Sequence, residues 1–140
     1  MADSSDIDAA LVAKLAGDAT LAALMQSGAF VFMDEAPAGG TKFVIVSLVM
    51  EEDAQQFGGR SYEDALYEVE ARMLSTAGGN IKAAAARIDV LLDHSTLTVS
   101  GYALMALHRE ARTRSTEVDE VDASIRWYRR GGQYRVVMST

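Results

Sequence analysis

The segment Ile81–Leu92 places the tightest constraint on how this chain can fold. Ile81, Ala84, Ala85, Ile88, Leu91 and Leu92 recur at a 3.6-residue period and make one apolar helical face, while Lys82 and Arg87 point away from it. Asn80, which follows two glycines, occupies the position of an N-cap. A helix with one apolar face needs a second element to cover that face. The stretch before the glycine turn at 75–80 is the nearest candidate, and it reads two ways. Tyr67, Val69, Ala71 and Met73 alternate with Glu68, Glu70 and Arg72, the pattern of a strand with one wet face. Leu66, Val69 and Met73 also fit a helical face, and the Glu, Ala, Arg and Leu content of residues 65–74 favours helix.

The rest of the chain supplies shorter signals. Residues 3–25 read as one helix with a break, or as two short ones. Ser4 or Ser5 can cap its start, Ile7, Leu11 and Leu15 form a stripe, and Gly17 interrupts it. Asp18 can cap a second stretch carrying Leu21, Leu24 and Met25, and Ser27-Gly28 ends it. Phe30 to Met33 predicts a short strand, followed by a loop over 34–42 that holds the only proline, Pro37. Residues 43–50 are β-branched and nearly all apolar, which predicts a strand covered on both faces. Residues 51–61 are polar and carry Gly58-Gly59, as in a hairpin tip or a mobile loop.

Residues 97–107 alternate, with Leu97, Val99, Ala103, Met105 and Leu107 on one face and Gly101 as a bulge. Residues 108–122 are charged without a period and predict a long exposed connection. Residues 123–138 return to strand formers, with Gly131-Gly132 as a tight turn or bulge. The connections are too short for many crossovers, so a single domain over residues 1–140 with largely antiparallel strands is expected.

Composition narrows the chemistry. A net charge of −7 argues against a free-standing nucleic-acid binder, which needs a basic face to displace counterions. The absence of cysteine removes disulfides, thiolate nucleophiles and cysteine-based zinc sites. The acidic, polar start at 1–8 is unlike a signal peptide, and no apolar run approaches the ~18 residues of a membrane span. A soluble protein made in a cytoplasm, with no membrane partner, is the expectation.

Gly39-Gly40-Thr41-Lys42 has the letters of a phosphate loop, but its spacing is wrong and it leads into a strand. His94 and His108 lack companions for a metal site or a catalytic base. Glu117, Asp119, Glu120 and Asp122 resemble a calcium loop in charge alone, without its central glycine or oxygen spacing. No catalytic, cofactor or metal site is expected, and the chain does not read as an enzyme. A small-molecule-binding α+β domain would need a polar pocket that the sequence does not suggest.

Charge is distributed unevenly. Residues 1–8 and 117–122 are acidic, whereas 109–114 and 126–135 are basic. Complementary patches on one molecule suit head-to-tail contacts between identical subunits, and such contacts close into rings. The run Arg126, Trp127, Tyr128, Arg129, Arg130, Tyr134, Arg135 mixes basic and aromatic groups. That mixture suits stacking on single-stranded nucleic acid or a protein interface, and the acidic balance favours the interface.

In order of elements the chain resembles the tail-completion or tail-terminator proteins of long-tailed bacteriophages. The resemblance runs from the helix carrying Ile7 to Leu24, through the apolar stretch Phe30 to Met33 and the buried run Phe43 to Leu48. It continues in Tyr67 to Met73, the alanine-rich helix Ile81–Leu92 and the final Trp127 to Val136. Two features depart from it: Lys42 stands where family members often have proline, and the stretch 109–122 is long.

The resemblance implies an α+β fold, a mixed, mostly antiparallel sheet with helices on one face, and resolves residues 65–74 as strand. It also implies a ring, usually hexameric, at the head-proximal end of a tail. Such a ring would cap the tail tube, stop its polymerisation and join the head connector or stopper. The genome would pass through its lumen without specific binding, and assembly would take place in the host cytoplasm. Another neck component, an adaptor or stopper, is the alternative within this reading. The expected contact residues lie in loops at 51–61 and 109–122 and in the final strands: Phe57, Arg60, Arg112, Arg114, Arg129, Arg130 and Tyr134.

Overall fold

A computed structural model describes residues 4–56, 59–75 and 79–139. Its elements are α1 (Ser4–Ala16), α2 (Ala19–Leu24), β1 (Val31–Met33), β2 (Lys42–Gln56), β3 (Gly59–Ser75), α3 (Ile81–Leu92), β4 (Ala103–Val118) and β5 (Arg126–Ser139). The strands form one sheet in the order β1-β2-β3-β5-β4. The β1–β2 pair is parallel and the other three are antiparallel, so the fold is α+β with a mixed, mostly antiparallel sheet.

The ambiguous segment is strand. Ala65, Tyr67, Val69, Ala71 and Met73 alternate onto one face of β3 and are buried there. They meet the apolar stripes of all three helices. Ile7, Leu11 and Leu15 come from α1, Leu21 from α2, and Ile81, Ala84, Ile88 and Leu92 from α3. Each large aliphatic residue removed from water here contributes about 1.5–3 kcal/mol.

Polar contacts fix the helices on this face. Asp18 accepts from the Leu21 amide at 2.8 Å and so caps α2, as its position predicts. The same carboxylate takes a two-point contact from Arg87 of α3, at 2.8 and 2.6 Å. That contact and the amide hold the Asp18 carboxyl below its usual value. Asn80 begins α3 without a side-chain cap. The predicted turn before it falls partly on Thr76–Gly78, which lie outside the described residues.

Several expected loops are strands. Residues 51–61 adopt the hairpin alternative, with β2 and β3 paired out to Gln56 and Gly59. The stretch read as an exposed connection continues β4 to Val118, in register with β5 down to Arg126. It lacks apolar periodicity because the β4–β5 hairpin extends past the part of the sheet where β4 is buried, leaving most of residues 110–118 exposed. Conversely, Leu97 and Val99 are buried outside any strand, and Gly101 (φ +85°) forms a turn rather than a bulge. The bulge lies between Leu104 and Ala106, so Met105 faces solvent while Leu107 returns to the core.

Gly131-Gly132 is neither turn nor bulge. Both residues sit mid-strand in β5, opposite Glu70 and Val69 of β3. A Cβ on Gly131 would stand 2.0 Å from the Val69 carbonyl oxygen, and one on Gly132 2.7 Å from that of Ala111. The glycines therefore let three backbones approach closely.

Two outcomes test this account. Gly131→Ala should cost upward of about 2 kcal/mol, measured by urea denaturation, because the obstructing atoms are backbone. Asp18→Asn retains an N-capping side chain but loses the ion pair. Because folding lowers the Asp18 pKa, its contribution is full above about pH 3.9, the unfolded value, and is lost as pH falls through the folded value. The variant should show a flatter decline in stability below that pH than the parent.

Candidate functional site

The helical layer does not cover the whole sheet. Beside α3, toward the edge strand β4, a cleft of about 420 Å³ opens between the helix and the β4–β5 hairpin. On the helix side it is lined by Lys82, Ala85, Ala86 and Asp89, one stripe at helical spacing. The two alanines leave room that longer side chains would fill. The sheet contributes Arg109, Arg112, Arg114, Arg130 and Tyr134. A second bulge of β4, between Arg109 and Ala111, brings these together: Arg109 pairs with Tyr134 before it, and Arg112 with Gly132 and Arg114 with Arg130 after it.

Five cations thus surround one carboxylate. Asp89 is already engaged: it pairs with Arg109 at 2.5 Å and accepts from the Tyr134 hydroxyl at 3.0 Å. Arg109 is locked further by its backbone amide, which donates to Asp93 at 2.8 Å and holds the Asp93 carboxyl below its usual range. Lys82, Arg112, Arg114 and Arg130 have no hydrogen-bond or ion-pair partner among the described residues. Arg112 and Arg114 are exposed. Four uncompensated cations around one concavity make a strongly positive site on a chain whose net charge is −7.

The opposite face of the same strands is neutralised internally. Arg129 pairs with Glu117 across the hairpin. Arg135 bridges Asp64 at 2.5 Å and Glu110 at 2.7 Å, and Glu110 also meets His108 at 3.0 Å. Those two contacts, Arg135 first, hold the Glu110 carboxyl low. Arg72 pairs with Glu70 at 2.7 Å. Trp127 packs edge-on against Phe43, with ring centroids 5.6 Å apart.

The expected contact residues therefore separate. Arg112, Arg114 and Arg130 converge on the cleft. Arg129 lies on the other face, held by Glu117. Arg60 sits on β3 opposite Gln55 near the tip of the β2–β3 hairpin. Phe57 lies outside the described residues, as does the side chain of Arg60.

Tyr134 is a correction. It borders the cleft but is 1% exposed, and burial pushes its hydroxyl pKa far up, so it packs with the core and does not stand out as a surface anchor. Sequence reasoning missed Lys82 and the small Ala85-Ala86 step as parts of this site. The available signal was the helical stripe Lys82, Ala85, Ala86, Asp89, in which a cation and a carboxylate flank two small residues.

His94 and His108 are brought together, their rings stacked with centroids 6.2 Å apart. Among the described residues no group of three or more His, Asp or Glu is placed to hold a metal ion. Asp119 and Asp122 direct carboxylate oxygens to backbone amides of their own turn.

Residues 9–139 match the family described as tail completion protein gp17. The chain belongs to that family. No protein of curated function shows a significant match. Among solved structures, a chain from the virion of a native gene transfer agent particle superposes with a TM-score of 0.58 at 27% identity, covering 96% of each chain. A second solved chain gives a TM-score of 0.58 at 14% identity, covering 97% of this chain and 96% of its own, and supports the fold alone. This tail-completion chain is a structural protein of a phage-type tail.

The assignment of Tyr134 to the core can be measured. Tyr134→Phe removes one hydroxyl donor to Asp89 and should cost about 0.5–1.5 kcal/mol. Tyr134→Ala should cost about 3–5 kcal/mol in equilibrium unfolding. A surface anchor would show neither loss of stability.

Proposed function

We propose that this chain is the ring-forming terminator of its tail. The ring would be a homo-oligomer of about six subunits at the head-proximal end, assembled in the host cytoplasm. One face would cap the last ring of tail-tube protein and stop polymerisation. The other would meet the connector or stopper at the head. The observation that carries this reading is the family match over nearly the whole chain.

The molecule's surfaces support it. The two ends of the sheet are unlike, as head-to-tail contact requires. On one side, β1 covers β2 only at Val44, Ile45 and Val46. Beyond that pairing, a bulge between Leu48 and Met50 leaves Leu48, Val49 and Met50 exposed at 39%, 48% and 45%. Three consecutive exposed apolar residues on a strand lacking a second neighbour are costly in a free monomer and suit burial by a partner. On the other side, β4 presents a basic, polar edge.

The role proposed is structural, without catalysis or a resident cofactor. Acidic groups facing the lumen would let genome DNA pass without tight binding.

Solution mass at high and low concentration, with and without tail-tube protein, tests the reading. A ring of about six subunits, alone or on tube ends, with tubes that stop growing, is the expected result. A protein that stays monomeric and leaves tube growth unchanged would sink it. Rings that bind the head-side connector but ignore the tube would transfer the chain to the adaptor or stopper role.

A further inference from the structure

We infer that the basic cleft receives the acidic tip of the β4–β5 hairpin from a second copy of this chain. The inference rests on the ring reading for its setting and names the contact that would join neighbouring subunits.

The tip has the complementary chemistry. The turn after β4 carries Asp119, Glu120 and Asp122, and Val121 stands at 96% exposure among them. This is an apolar apex ringed by three carboxylates. The turn is built before any partner arrives. Asp119 accepts from the Val121 amide at 3.2 Å and the Asp122 amide at 3.0 Å, and Asp122 accepts from Ser124 at 2.9 Å. Glu120 has no hydrogen-bond or ion-pair partner among the described residues.

The cleft presents the inverse arrangement, a short apolar strip at Ala85 and Ala86 on the helix side among Lys82, Arg112, Arg114 and Arg130. Its volume of about 420 Å³ falls in the range of drug-sized sites, ~300–1,000 Å³, which suits a turn rather than a whole strand.

The tip cannot reach the cleft of its own chain. β4 and β5 are paired without interruption from Ala111↔Gln133 to Val118↔Arg126. The tip therefore projects on the order of 20 Å beyond the level of Arg112, at ~3.3 Å per residue. β3 flanks β5 up to Ser75↔Arg126, so the hairpin is held in the sheet to that level and the turn at 119–125, standing beyond it, is offered to a neighbour. Because tip and cleft are different surfaces, each subunit gives one and receives one, a heterologous contact that propagates around a ring.

The absence of native cysteine makes a direct test clean. A chain carrying Val121→Cys and Ala86→Cys should, on mild oxidation of the oligomer, give a ladder of covalent multimers on a denaturing gel. Either substitution alone should stop at dimers or give none. Two charge variants complete the test. Arg112→Glu/Arg114→Glu reverses part of the cleft. Asp119→Asn/Glu120→Lys/Asp122→Asn reverses the tip while keeping its side-chain acceptors. Each alone should lower the oligomer fraction at least tenfold with unchanged circular dichroism, and an equal mixture of the two should restore it.

Wild-type-like rings from both variants, with no covalent ladder, would overturn the tip-in-cleft contact and leave the terminator reading intact. Failure of the parent chain to oligomerise, with or without tube protein, would overturn both. Salt-sensitive binding of inorganic phosphate or a short oligonucleotide that Arg112→Glu/Arg114→Glu abolishes, with assembly undisturbed, would reassign the cleft to a phosphate ligand.

Discussion

The structure depends on strand β3 being hydrogen-bonded along almost its whole length on both sides. β2 pairs with it from Gly59 to Met73 and β5 from Tyr62 to Ser75. A strand in that position has no free edge, and its side chains must divide strictly between two faces. Ala65, Tyr67, Val69, Ala71 and Met73 take the helical face, while Glu68, Glu70 and Arg72 take the other. Every helix is positioned by that choice. A one-residue slip would bring Glu68, Glu70 and Arg72 under α3, against the apolar Ile81, Ala84, Ile88 and Leu92. The glycine pair of β5 defends the register, since the opposing backbone leaves no room for a Cβ at Gly131.

The cleft follows from where α3 lies. The helix packs mainly over β5 and β3 and leaves the edge strand β4 open, so Lys82, Ala85, Ala86 and Asp89 run along the side that faces the hairpin. There the sequence of β4 turns from apolar to charged, and the bulge between Arg109 and Ala111, followed by alternation, stacks Arg109, Arg112 and Arg114 on the helical side. Asp89 neutralises the innermost of them. The outer ones, Arg112 and Arg114, have no such partner among the described residues.

Much of this was legible in the sequence, and the failures share one cause. The helix Ile81–Leu92 shows in its apolar period, the strand at 43–50 in its β-branched run and the capping role of Asp18 in its position, whereas residues 65–74 fit both a strand and a helix and are resolved as strand by the family resemblance. The stretch 108–118 gave no such signal. Its ladder is stabilised by backbone hydrogen bonds to β5, which leave no mark on side-chain pattern when most of its side chains stand in water. Leu97 and Val99 erred in the opposite direction. They alternate and are buried, yet they belong to an irregular segment, since burial periodicity reports the core and not the hydrogen-bonding partner. Tyr134 was misplaced because its neighbours Arg130 and Arg135 are charged, while only the pairing with Tyr67 reveals that it points inward.

Charge separation on one small chain has a physical consequence for assembly. Both the basic cleft and the acidic tip are solvated in the monomer, so bringing them together gains little from any single exposed pair. The gain comes from repetition and exclusion of water. A concave site removes solvent from several pairs at once, and like-charged alternatives, tip on tip or cleft on cleft, are repelled. The net charge of −7 adds a general repulsion that keeps subunits apart until a complementary surface is presented. A weak, directional and salt-sensitive contact of this kind would suit the proposed terminator, whose subunits would stay dispersed until a growing tail offers them a place. The exposed Leu48, Val49 and Met50 would then supply the apolar burial that charge alone cannot provide.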